Sequence, residues 1–225
     1  PLVSDAALKR ETLAALRDTG VRILDVEVAR INERFDIRDW LPTFEVCAEL
    51  GAAHINIVAD DPDESRLTAA YATACEAARP FGMSCDLEFM VWTAVKDLRQ
   101  ARRVVTAAAQ PNSGIIIDAL HLARSGVSLD ELDDLPREWL HWMQLCDGPI
   151  PGPTTTEGLI HAARCERLLP GEGQLDLTGL LQRLPPDLTV SVEVPSDTRA
   201  PAVGYGAWAR RAVAMTRDVL ARASV

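Results

Sequence analysis

The stretch Gly114-Ile115-Ile116-Ile117-Asp118-Ala119-Leu120-His121 decides the fold class of this chain, because a wholly apolar run stops there at two groups able to bind a metal. Three β-branched residues in a row, after the breaker cluster Pro111-Asn112-Ser113-Gly114, predict a strand buried on both faces, the pattern of a parallel sheet covered by helices. Asp118 then stands at the carboxyl end of that strand. Parallel α/β sheets keep their chemistry at this edge, since its loops are free to vary while the strands hold them rigidly. The plainer use of such an Asp is to cap the next turn, with His121 packed nearby.

Working outward, the same alternation recurs. A helix is expected from Ser4, with Ser4 or Asp5 as its N-cap, to about Thr19, and then a strand from Val21 to Val28. Helices at Asp39–Leu50 and Glu64–Ala78 flank a strand at His54–Ala59, and Met83–Phe89 is the strand that delivers Glu88. An Ala- and Arg-rich helix from about Ala94 to Ala109 leads into the organising strand. Beyond it come a short helix near Ser128–Asp134, a strand at Trp139–Cys146 and a long loop from Gly148 to Gln174 rich in Pro and Gly. A helix at Leu177–Leu184, a strand at Thr189–Val194 carrying Glu193, and a closing helix at Tyr205–Ala223 complete the pattern. Six strands alternating with helices read as one α/β domain over residues 1–225, a TIM (β/α)8-type barrel that would need two more strands at its front. Either residues precede Pro1 or the sheet is open. In the first case Ile23, Leu24 and Val26 should be unusually exposed at an edge.

Glu88, Asp118, Gln144 and Glu193 each stand at or near the end of a different apolar strand. Parallel strand ends converge on one rim, so three carboxylates and an amide oxygen would make an oxygen-rich site for one divalent ion: Mn²⁺, Mg²⁺ or Co²⁺, with Zn²⁺ also able to bind. Three anionic groups would not share a rim cheaply without a cation. Arg167 and Arg199 are candidates for substrate hydroxyl, carboxylate or phosphate, against the bland alternative of surface ion pairs. Asp147 reads as a residue that orients a ligand or holds a loop. His54 falls at the opposite rim and reads as structural, and His141 and His161 are weaker candidates.

A formal net charge of −10 opposes a nucleic-acid or anionic-membrane partner and favours a small-molecule substrate. Five cysteines without a C-x-x-C pair argue for reduced thiols and a cytoplasmic protein rather than a disulfide framework. No apolar run approaches the ~20 residues of a membrane span. A homo-oligomer stays open.

The strand-end Glu of "CDLEF", the D-x-x-H of "IIIDALH", the Q-x-x-D of "MQLCD", the "ERLLPGEG" loop and the terminal "SVEVP" together resemble the sugar isomerase/epimerase superfamily of xylose isomerase-like TIM barrels. That group also contains the endonuclease IV-type AP endonucleases. The resemblance covers essentially the whole chain and implies metal ligation by Glu88, Asp118, Gln144 and Glu193, with His121 beside metal or substrate. Many members have His where this chain has Gln144. The Glu-Asp-Gln-Glu set is similar to that of hydroxypyruvate isomerases and of 3-dehydroshikimate and inosose dehydratases, whereas the first two strands and first helix of the family barrel have no counterpart here. The implied activity is a metal-dependent isomerase or epimerase of a small sugar, sugar phosphate or hydroxy-ketone, working through an enediolate with Glu88, Glu193 and His121 as catalytic groups. The alternatives are a metal-dependent dehydratase and a non-catalytic binding barrel.

Overall fold

A computed structural model describes residues 2–223, which divide into two compact units. The first comprises residues 2–88 and 100–115, the second residues 89–99 and 116–223.

In the first unit, α1 (Ala6–Thr19) opens on Asp5, whose side chain accepts from the backbone N–H of Ala7 and Leu8, as an N-cap should. Three strands follow, β1 (Asp25–Ile31), β2 (His54–Ala59) and β3 (Ser84–Glu88), with α2 (Leu41–Glu49) and α3 (Glu64–Ala78) as their crossovers. β1 pairs parallel with β2 and β2 with β3, so strand order follows chain order. Leu67, Tyr71, Ala74, Cys75 and Ala78 form the buried stripe of α3 at helical spacing. The Tyr71 hydroxyl donates to the Cys85 carbonyl at 2.7 Å and accepts from Gly114 N–H, tying β3 to the start of the next strand. α4 (Leu98–Ala108) buries Leu98, Ala101, Val104, Val105 and Ala108 on one face and delivers the chain to β4 (Ser113–Asp118).

β4 passes into the second unit with all six residues buried, as the unbroken isoleucine run requires. There α5 (Ala119–Ser125), β5 (Trp142–Leu145), α6 (Thr156–Cys165), α7 (Leu177–Arg183), β6 (Thr189–Val192), α8 (Arg199–Val203) and α9 (Tyr205–Ala223) follow. β4 pairs parallel with β5, and β5 with β6. Thus six strands alternate with helices, each parallel to its neighbours within its unit.

Several boundaries depart from the sequence reading. β1 begins four residues late because Ala29 and Ile31 are the residues that become fully buried, whereas Val21 is 59% exposed. Ile23, Leu24 and Val26 are half-buried. β5 starts at Trp142, Trp139 lying in a 3-10 turn, and β6 stops at Val192, one residue short of Glu193. The region expected as one loop, Gly148–Gln174, contains α6, which Thr155 caps by accepting from Gly158 N–H. All five cysteines are free thiols.

Candidate active site

The sheet register places the groups of the second unit. Asp118 is the direct cross-strand partner of Gln144, and Gln144 is the partner of Ser191. Glu193 lies two residues beyond Ser191, hence on the same face by the two-residue period of a strand, with its N–H donating to the Leu145 carbonyl at 3.2 Å. Asp118, Gln144 and Glu193 therefore share one face at the carboxyl ends of three adjacent strands. Asp118 and Gln144 are buried, while Glu193 keeps 31% of its side chain exposed.

Asp118 is the cap that the sequence allowed, and it carries a buried ion pair as well. It is the N-cap of α5, its Oδ1 accepting from His121 N–H at 2.8 Å, and its Oδ2 receives Arg167 Nη1 at 2.6 Å. Burial alone would raise its pKa. The Arg167 guanidinium and the neighbouring His121 outweigh that and hold the carboxyl below its ordinary range. Arg167 Nη2 lies 3.1 Å from Glu193 Oε2, so one guanidinium spans both carboxylates.

His121 is enclosed, with its ring edge-to-face with Trp92 at a centroid distance of 5.2 Å and Nε2 3.5 Å from Arg167 Nη2. Burial, helped by Arg167 and Arg124 and opposed by Asp118, lowers its pKa to about 4, so the imidazole is neutral near pH 7. Burial and the Asp118 charge push the Cys146 thiol up to about 12 despite Arg167, which leaves it protonated.

Asp147 holds the PGEG loop. Its Oδ1 accepts from Gly148 and Leu175 N–H and its Oδ2 from Gly171 N–H, while its backbone bridges Leu168. Gly173 is required there, because a Cβ would come within 2.3 Å of Asp147 Oδ1 and 2.5 Å of the Gly148 carbonyl. Arg199 is directed to Glu172 Oε2 at 2.6 Å and stacks over Trp208, with Arg211 on the other oxygen of Glu172.

Glu88 belongs to the first unit. It is the last residue of β3, on the same face as Asn56 and Asp86 by register, and its Oε2 accepts from Asn56 Nδ2 at 2.9 Å. At the other end of these strands His54 Nδ1 is 2.7 Å from Ser84 Oγ and 3.2 Å from Asp86 Oδ2. Sequence reading passed over Asn56, although a lone amide in the run His54–Ala59 was the available signal, and over Trp92, which follows "CDLEF" by only three residues.

Residues 3–219 match the family described as Xylose isomerase-like TIM barrel. The chain belongs to that family, and its fold is the α/β fold of a TIM barrel. It is 30% identical over 155 residues, 68% of its own length, to a 3-dehydroshikimate dehydratase of Pseudomonas aeruginosa, of which it covers 23%. It spans about a quarter of the length of the curated relatives it matches. Among solved structures it resembles the IolI protein with a bound zinc atom (TM-score 0.81, 18% identity, 98% of this chain and 84% of that one). It also resembles an L-ribulose 3-epimerase (TM-score 0.70, 13% identity, 98% of this chain and 82% of that one). Enzymes named as epimerases and dehydratases thus share this fold.

The donor chemistry of Asp118, Gln144 and Glu193 fits a divalent cation: two carboxylates and one amide carbonyl, all oxygen, two of the three side chains withdrawn from water. The Arg167 contact does not exclude this, since each carboxylate oxygen has two acceptor directions. Among the described residues no helix is long and apolar enough to cross a membrane.

Proposed function

We propose that this protein is a metal-dependent dehydratase of a small hydroxy-ketone, with 3-dehydroshikimate the first substrate to test. The observation that carries the reading is the neutral, enclosed His121 beside the Asp118–Gln144–Glu193 oxygen set. The likeness to the Pseudomonas dehydratase supports it.

A divalent ion held by Asp118, Gln144 and Glu193 would polarise the substrate carbonyl and acidify the adjacent C–H. His121, neutral near pH 7, accepts that proton. The C–H electron pair becomes the new C=C bond, and the β C–O pair leaves with oxygen. An imidazolium whose pKa lies near 4 is a strong acid for a histidine, so it returns the proton to the departing hydroxyl and water is lost. Trp92 walls off the ring and Asp118 N-caps the turn that carries it, so the group is held rather than free to rotate.

The second reading is an epimerase or isomerase in which Glu193 moves the proton, favoured by its part-open carboxylate. Mass analysis of the product with Mn²⁺ present separates the two: a product lighter by one water supports the dehydratase, and an isomer of unchanged mass overturns it. His121→Ala should lower turnover by ~10²–10⁴ under the first reading. Near-full activity in that variant, with the loss found in Glu193→Gln instead, would pass the role to the Glu193 carboxylate.

A further inference from the structure

Among the described residues, Arg167 is a charged side chain that the site of the second unit encloses without a place for it in the chemistry above. It is 3% exposed, and each of its three guanidinium nitrogens is directed at a protein group. Nε donates to the Ala163 carbonyl at 2.7 Å, Nη1 to Asp118 Oδ2 at 2.6 Å with Cys146 Sγ at 3.4 Å, and Nη2 lies 3.1 Å from Glu193 Oε2. Its backbone is fixed as well. Arg167 N–H donates to the Pro195 carbonyl, and antiparallel bridges stand on either side, Glu166 with Ser196 and Leu168 with Asp147. A substrate-recognising arginine keeps donors turned outward, whereas this planar fork is turned inward onto two carboxylates.

Two carboxylates on one face of a sheet, here flanking the strand between them, repel unless a cation lies between them. A metal can dissociate. A guanidinium cannot be deprotonated in a protein and cannot leave.

We propose that Arg167 is a resident cation of this site, holding Asp118 and Glu193 in position when no metal is bound, so that the oxygen set is preorganised and does not depend on the metal for its order. The proposal rests on the reading of Asp118 and Glu193 as ligands of a divalent ion. Arg167 acts through those two residues and is a positioning residue. Its burden is shared once a metal adds a second positive charge.

The test is thermal melting and Mn²⁺ titration calorimetry on the full chain carrying Arg167→Gln. Without metal, in EDTA, the variant should lose at least about twice as much Tm as it does in saturating Mn²⁺, because the ion then supplies the missing charge. Adding Glu193→Gln removes one of the two anions left facing each other, so the double variant should recover part of the loss seen in EDTA. Equal losses with and without Mn²⁺, or a double variant no more stable than Arg167→Gln, overturn the proposal. If Arg167→Gln does not fold in EDTA, Arg167→Lys is read in the same way: it keeps the charge and loses the fork, so its Tm loss should be smaller and again larger without metal, and equal losses refute the idea. Failure of the wild-type chain to bind Mn²⁺, Co²⁺, Mg²⁺ or Zn²⁺ would sink the metal reading alone. The two-variant comparison in EDTA would then still decide whether Arg167 holds the carboxylates.

Discussion

Glu88 and Asp118 are both buried carboxylates at the carboxyl end of a parallel strand, yet they are held by different chemistry. In the first unit Glu88 accepts a hydrogen bond from the neutral amide of Asn56, one strand away. In the second, Asp118 faces the guanidinium of Arg167, which arrives from 49 residues further along the chain. The difference teaches how a strand end can be made safe for charge. A neutral amide adds no charge of its own, whereas a guanidinium shared by two carboxylates fixes both and depresses the pKa of the buried one.

The largest expected effect separates the two carboxylates. Asp118→Ala strips α5 of its cap and leaves Arg167 with a single carboxylate, and breaking a buried pair costs about 3–5 kcal/mol. Glu88→Gln keeps an oxygen for Asn56, so a loss of only about 1 kcal/mol is expected. Urea denaturation in EDTA measures both, and equal losses would break the comparison.

A smaller effect, about 3 kcal/mol at most, follows from what burial does to His121. Its pKa falls from 6.5 to about 4 on folding, so below pH 6.5 the unfolded chain binds a proton that the folded chain refuses. Stability is therefore whole above pH 6.5 and declines as the pH drops toward 4. His121→Gln should flatten that part of the profile in metal-free protein, and an unchanged slope would show that other groups cause it.

The smallest effect sharpens the contrast between enclosed and open guanidinium pairs. Arg199 pairs with Glu172 with 34% of its side chain exposed, where solvent screens the attraction. Arg199→Gln should cost no more than about 1 kcal/mol, part of it from the lost stacking on Trp208. A loss as large as that of Asp118→Ala would mean that the PGEG loop, not the strand-end pair, anchors this unit.

Errors of the sequence reading cluster where tertiary packing overrides a local signal. The Pro- and Gly-rich character of Gly148–Gln174 hides α6, because a helix needs no more than a cap and one apolar face, and Thr155 supplies the first while Ala163 lies on the second. β1 was read four residues early, since the apolar run Val21–Val28 is equally compatible with a strand and burial of Ala29 and Ile31 breaks the tie. Arg167, by contrast, was visible as a candidate from its place ahead of the PGEG turn. The direction of its fork was not visible, because that depends on a partner 49 residues away.

By itself the sequence determined the alternation of strands and helices, the buried character of β4, and the presence of Asp118, Gln144 and Glu193 at strand ends. These follow from local periodicity and from the polar residue that ends each apolar run, and neighbouring residues suffice to specify them. Only the tertiary structure decided that Asp118 and Gln144 are register partners, that Arg167 joins Asp118 to Glu193, that Asp147 is committed to the PGEG loop, and that His121 is enclosed deeply enough to stay neutral. Register, ion pairing and desolvation are properties of groups brought together from distant parts of the chain, and their energies depend on distances of a few ångströms that no run of residues encodes alone.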